Sequence, residues 1–138
     1  MNIKDIPVDA EQLRVMLETG FILREAARFD EAEAVFRGVM ELMPDSDVPR
    51  VGLGTVYLQR GDFAGAEAIC EQTVADHPES DYARVHYAEA LLFGRQREKA
   101  ETHLHDVIRK NPDSPHARTA RALLDAADIV APPAAADA

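Results

Sequence analysis

The segment LGTVYLQRGDFAGAEAIC, residues 53–70, contains the features from which the fold of this chain is predicted. Gly54 lies in an apolar run, where a glycine can belong either to a phosphate-binding loop or to a helix that approaches another helix closely. A dinucleotide-binding loop would need a further glycine where the chain has Tyr57, and it would follow a predicted strand, which is missing; the Gly-Lys-Ser/Thr ending of a P-loop is missing too. We therefore predict a helix in which Gly54 permits close packing. Gly61 ends this helix, and Asp62 caps the next one.

The pattern in this stretch recurs along the chain with a period of 34 residues. Pro44, Pro78 and Pro112 are separated by this step. The other columns that agree in residue class are Ala32, Ala66 and Ala100; Gly20, Gly54 and Ala88; Leu23, Tyr57 and Leu91; and Phe36, Cys70 and Leu104. A fixed period of roughly 20–50 residues is typical of repeat proteins, in which each unit packs on its neighbours.

Turn and capping signals divide each repeat into two helices. Asp30, with Glu33 three residues later, has the spacing of a capping box. The segments DSDVPR and DSPHAR each place an Asp or Ser before a proline, which is tolerated in the first helical turn. The predicted helices span residues 9–25, 30–43, 47–60, 63–76, 81–94, 97–110 and 115–127.

These motifs resemble the tetratricopeptide repeat, a helix–turn–helix unit of about 34 residues with Leu-Gly-x-x-Tyr, Ala-x-x-x-Phe and Pro at set positions. The middle repeat has LGTVY, followed by the Ala, apolar and Pro residues of the columns above, while the flanking repeats have TGFIL and YAEAL. The family's early tryptophan is replaced by Met16, Arg50 and Arg84, so we expect looser packing at these positions.

The resemblance implies an all-α fold, an α-solenoid of three helix–turn–helix units with a C-terminal capping helix. The units are residues 13–46, 47–80 and 81–114, and the capping helix is 115–127. The repeat domain then spans residues 9–127 and follows an N-terminal segment of residues 1–8. Residues 128–138 are expected to form a disordered tail, because the final APPAAADA has two prolines and small residues with nothing to pack.

Composition restricts the partners and the compartment. The formal net charge of -10 argues against nucleic acid or an anionic membrane as a partner, because both bind clustered Lys and Arg. Cys70 is the only cysteine, so no internal disulfide forms and a reducing compartment is expected. No apolar run reaches the roughly 18 residues that cross a bilayer, and the N-terminus lacks the apolar core of a signal peptide. These features predict a cytoplasmic protein.

The residues that could perform chemistry do not form a site in the sequence. His103 and His105 point to different helix faces, whereas a zinc-binding pair on a helix has i, i+4 spacing. His86 lies on the first helix of its repeat and could tune binding between about pH 5 and 7. Cys70 occupies a predicted core column, where a thiol is a poor nucleophile. We therefore predict no catalytic residue, no metal site and no cofactor, and the chain is not expected to be an enzyme.

In the repeats that this chain resembles, the first helix of each pair lines a concave groove that commonly holds a peptide or a helix of another protein. Carried over column by column, the resemblance implies a partner-binding set of Leu17, Phe21, Arg24, Val51, Thr55, Leu58, Tyr82, Val85, Glu89 and Leu92. This lining is mostly apolar, and exposed apolar patches usually mark interaction sites. The predicted function is a non-catalytic protein–protein interaction module. Two alternatives stay open: the N-terminal segment covers the groove, or the chain is a self-associating scaffold whose apolar surface is an interface in a homo-oligomer.

Two subclasses of the family can be compared with this sequence. Repeats that grip the acidic tails of heat-shock chaperones use Lys, Asn and Arg side chains at groove positions that are Leu17, Phe21, Gly52, Tyr82 and His86 here, so this two-carboxylate clamp is missing. The stretches GLGTVYLQRGDFAGA and HYAEALLFGRQREKAE instead resemble the cytoplasmic chaperones of type III secretion translocators. That resemblance implies a chaperone that holds a hydrophobic export substrate, although the segment 1–8 is shorter than the helical extension usual in that group.

Overall fold

The computed structural model describes residues 5–133, in which seven helices follow one another without a strand. The helices are α1 (Ala10–Glu25), α2 (Phe29–Leu42), α3 (Val48–Arg60), α4 (Phe63–Asp76), α5 (Asp81–Phe93), α6 (Arg97–Lys110) and α7 (Pro115–Val130). Each helix begins and ends within three residues of its predicted bounds. The all-α repeat fold predicted from the sequence is therefore confirmed.

The turn between the two helices of a repeat uses one left-handed residue in every case. The residues are Ala27 with φ 58°, Gly61 with φ 87° and Arg95 with φ 65°, and they are separated by the repeat period. Only glycine adopts this conformation without a steric cost, so the middle repeat has the least strained turn. As predicted, Gly61 ends α3 and the Asp62 carboxylate caps α4 by accepting from the Gly65 amide at 2.9 Å.

The predicted cap of α2 is wrong. The turn at Ala27 starts the helix at Phe29, with Arg28 at the N-cap and no side-chain cap hydrogen bond. Asp30 lies inside the first turn instead, where its negative charge still favours the helix dipole. The capping box occurs at α1, where Asp9 and Gln12 exchange hydrogen bonds of 2.8 and 3.0 Å.

The capping helix is longer than predicted, because α7 continues to Val130 and Ala131 is buried. Arg97 at the start of α6 fixes this end. Its guanidinium pairs with Asp128 at 2.7 Å and donates to the Ala131 carbonyl at 3.2 Å. We predicted that residue 128 begins a disordered tail, but α7 continues through this residue, and Val130 and Ala131 pack against the core. Residues 1–4 of the N-terminal segment and residues 134–138 of the tail lie outside the described residues.

The helices form two layers. In the inner layer, α1, α3, α5 and α7 each contact the next helix of that layer, whereas α2, α4 and α6 in the outer layer make no such contacts within the described residues. Helices that meet on one side and separate on the other side produce a curved stack. The concave side is therefore formed by the inner layer.

Glycines allow the layers to come close together. A Cβ atom added to Gly54 would lie 2.7 Å from the Cys70 Sγ, and one added to Gly52 would lie 2.5 Å from the Phe36 ring. Phe36 and Cys70 are buried in the same repeat column as Leu104. The prediction that Gly54 serves helix packing is therefore confirmed.

Arginines in the family's tryptophan column join the two layers through ion pairs. The side chain of Arg50 is only 15% exposed and lies 2.9 Å from the Asp76 carboxylate of α4. Arg84 lies 3.9 Å from Asp106 of α6. In the second and third repeats, a charged bridge thus takes the place of the aromatic contact.

Candidate partner-binding groove

Several residues predicted to line the groove are in the core instead. Val51, Val85 and Leu92 are buried, with at most 2% of each residue exposed. The reason is their position in the stack: α3 and α5 have inner-layer neighbours on both sides, so their side chains close against those helices. Thr55 is also buried and contacts a groove residue rather than solvent. The predicted residues that keep partial exposure are Leu17, Phe21, Arg24, Leu58, Tyr82 and Glu89.

The α1 end of the inner layer presents an apolar surface. Phe21 packs edge-on against Phe36, with the ring centroids 5.0 Å apart, and remains partly exposed. Leu17, one turn earlier, packs on the same cluster and is partly exposed. The Arg24 guanidinium carbon lies 5.2 Å from the Phe21 ring centroid, a geometry that permits a cation–π contact.

Arg24 is held in place across α1 and α3. One of its terminal nitrogens donates to the Thr55 hydroxyl at 2.8 Å, and the other pairs with Glu25 at 2.6 Å. Thr55 in turn donates to the Gly52 carbonyl at 2.7 Å. The Arg24 Nε has no hydrogen-bond partner among the described residues. The hydrogen bond from Arg24, together with its charge, lowers the pKa of the Glu25 carboxyl. The guanidinium is thus fixed through its two terminal nitrogens, while its Nε is buried.

A second set of polar side chains lies on helices α5 and α7. The His86 Nδ1 and the Glu89 carboxylate are 3.0 Å apart. The Tyr82 ring meets His86 edge-on at 5.0 Å and lies 6.1 Å from the ring of His116 on α7. Burial raises the pKa of the Tyr82 hydroxyl, so this hydroxyl remains a hydrogen-bond donor at neutral pH.

His116 was not predicted to line the groove, because it follows Pro115 and a solvated side chain was expected beside this proline. Its position carries a signal that could have identified it, since His116 follows Tyr82 by one repeat period of 34 residues. The capping helix α7 therefore continues the inner layer and contributes a side chain next to Tyr82.

Cys70 lies behind this surface. Burial, with a smaller contribution from the charge of Glu89, raises the pKa of the Cys70 thiol to about 12. The thiol is therefore neutral at physiological pH and packs as a small apolar group against Gly54.

Within residues 5–133, no three His, Cys, Asp or Glu side chains come together as metal ligands. No helix in that range has the length and apolar character needed to span a membrane.

A family model described as Tetratricopeptide repeat matches this chain twice, at residues 23–86 and at residues 57–124. The two matches overlap and together extend over most of the chain. No curated protein sequence matches the chain significantly.

Several solved structures share the arrangement of the helices. PcrH from Pseudomonas aeruginosa is 20% identical with a TM-score of 0.74, covering 88% of this chain and 95% of that chain. The Yersinia enterocolitica type III secretion chaperone SycD, in complex with a peptide of the translocator YopD, is 17% identical with a TM-score of 0.71, covering 90% and 98%. The first TPR of Spaghetti (RPAP3), bound to the HSP90 peptide SRMEEVD, is 23% identical with a TM-score of 0.67, covering 86% and 98%. At these identities the similarity establishes the fold.

Proposed function

Because this chain belongs to the tetratricopeptide repeat family, we propose that it is a non-catalytic module that binds a peptide segment of a partner protein on the concave side of its inner helix layer. One observation supports this function above the others. Arg24 is fixed by Thr55 and Glu25, its side chain keeps 17% exposure, and it lies next to the partly exposed ring of Phe21. A fixed donor beside an apolar surface suits the backbone carbonyl and the apolar side chains of a bound peptide.

The proposed groove differs in character along its length. Leu17 and Phe21 on α1 offer contact area to apolar side chains of the peptide. Tyr82 and Glu89 on α5 offer a hydroxyl donor and a carboxylate. Arg24 and Glu89 have opposite charges and lie on different helices, so they would set the direction in which the peptide lies. Aromatic and Arg side chains are also the residues that most often dominate binding energy at interfaces.

The finer proposal is a chaperone that keeps an export substrate of a type III secretion system from aggregating. Its support is the similarity in shape to SycD and PcrH and the apolar α1 end of the groove. The peptide-bound Spaghetti structure supports the general proposal of peptide binding equally well. A carboxylate-gripping role is not proposed, because Leu17, Phe21 and Tyr82 occupy the positions where such a clamp needs cationic or amide donors.

The test begins with a selection of peptides from a random 12-residue phage library on the immobilised protein. We expect the best selected peptide to lose at least tenfold in affinity when Leu58→Ser and Tyr82→Ser are combined, and also with Arg24→Gln alone, as measured by fluorescence anisotropy. Phe93→Ser is the matched control, because Phe93 is exposed but stacks on Phe63 of the outer layer. Circular dichroism melts confirm that the variants are folded. Failure to select any peptide, or equal binding by the groove variants and the control, would refute the proposal.

A further inference from the structure

The outer face of α1, at the N-terminal end of the solenoid, exposes large apolar side chains. Val15 is 49% exposed and Ile22 is 67% exposed. The two residues are two helical turns apart, so they lie in one stripe. Ile6, from the segment before α1, is also exposed and lines a shallow cleft together with Val8 and Val15. This stripe lies outside the concave groove, because the groove residues occupy another side of the helix.

A comparison with the equivalent positions in the later repeats indicates what kind of element would cover this stripe. The equivalent positions in the later repeats are buried, and the second helix of the preceding repeat packs against them: α2 on α3 and α4 on α5. The α2 residues that face α3 include Ala32 and Phe36, which share a cluster with Val56. The buried equivalents of Val15 and Ile22 are Pro49 and Val56 on α3, and Ala83 and Ala90 on α5. Within the described residues, no helix covers this face of α1.

Charge distinguishes between the helices that could cover it. Glu11, Glu18 and Glu25 follow one another at seven-residue spacing along one edge of the stripe, and their side chains are mostly exposed. Arg14 and Arg24 pair with these three carboxylates. Two positive charges face three negative ones, so this edge keeps a net negative charge. A second copy with its α1 antiparallel would place an identical acidic row against this one, which is unfavourable. A helix with Lys or Arg beside its apolar stripe would be attracted.

We infer that the outer face of α1 is a second docking site, separate from the groove, for a basic amphipathic helix of a partner protein. This helix would occupy on α1 the position that α2 occupies on α3. The buried residues of α2 are Ala32, Phe36 and Val39, so the docked helix should have apolar residues at positions i, i+4 and i+7. Its Lys or Arg residues should lie on the side that meets Glu18.

The test uses two helix-stapled peptides that share one apolar face. The first has the α2 sequence, residues 29–42, and the second has the same sequence with Asp30→Lys, Glu31→Lys, Glu33→Lys and Glu41→Lys. We expect the Lys peptide to bind the full chain at least tenfold more tightly than the acidic peptide at 50 mM salt. The difference should shrink at 500 mM salt, where charges are screened beyond about 4 Å.

Two protein variants locate the binding. Ile22→Ser should reduce binding of the Lys peptide at least tenfold, while Ile129→Ser should leave it unchanged, because Ile129 is 85% exposed at the opposite end of the solenoid. Tyr82→Ser should also leave it unchanged, which separates this site from the groove. Equal binding of both peptides, or no effect of Ile22→Ser, would overturn the inference. So would a wild-type dimer in sedimentation that Ile22→Ser dissociates, because the occupant would then be a second copy.

Discussion

Replacing Gly54 by alanine tests the closest approach between the inner and outer layers. The new Cβ would lie 2.7 Å from the Cys70 Sγ and 3.3 Å from the Ile69 Cγ2. Overpacking of a core by one carbon costs about 1–3 kcal/mol, and the short distance to a buried sulfur favours the upper half of that range. The better helix propensity of alanine offsets about 1 kcal/mol. We therefore expect a net loss of about 1–2 kcal/mol in the free energy of unfolding.

The assay is urea unfolding followed by circular dichroism, supported by thermal melts in which the midpoint should fall by roughly 4–8 °C. Gly38→Ala is the matched control, since Gly38 lies inside α2 and an added Cβ would meet no atom within 4 Å. That variant should gain about 0.5–1 kcal/mol. The double variant Gly54→Ala with Cys70→Ala should be more stable than the sum of the two single effects predicts, because the clashing sulfur is gone. A Gly54→Ala protein as stable as the wild type, or a strictly additive double variant, would refute the packing argument.

Two further predictions concern titratable groups. The hydrogen bond from Arg50 lowers the pKa of the Asp76 carboxyl. The ion pair therefore stabilises the fold above the unfolded-state pKa of this carboxyl, and the contribution is lost as the pH falls through the lowered value. In urea unfolding, the stability difference between wild type and Asp76→Asn should shrink between pH 6 and pH 2, and a constant difference would contradict the pairing. The pKa of the Cys70 thiol is raised to about 12. At pH 8 we expect this thiol to react with Ellman's reagent at least about 100-fold more slowly in the folded protein than in the protein unfolded in urea. Comparable rates would mean that the thiol is accessible in the folded protein.

The positions of the helices could be predicted because the signals that define them are local. Gly61 adopts φ 87° and Asp62 caps the following amide within a few residues of chain, so neither feature depends on the rest of the fold. The exception at Asp30 is also local in origin. The left-handed turn at Ala27 starts α2 one residue before the predicted helix, and the spacing to Glu33 did not reveal that turn.

The exposure of the groove residues could not be predicted in the same way, because it depends on how many helices flank each inner-layer helix. Leu17 and Val51 occupy the same repeat column. Among residues 5–133, however, α1 has an inner-layer neighbour on one side only, whereas α3 has one on both sides. Val51 is therefore buried while Leu17 stays partly exposed. A column-by-column transfer treats these positions as equal.

The 34-residue period, the glycines and the caps depend on residues close together in the chain, so an all-α stack of two-helix repeats could be predicted from them. The side chains that meet across helices, such as Arg24 with Thr55 and Tyr82 with His116, became known from the packed helices. So did the apolar face of α1, which no helix covers in the part of the chain that the structure describes. The physical reason is that burial in a stack is set by the neighbouring helices, and the two ends of a short stack have fewer of them than the middle.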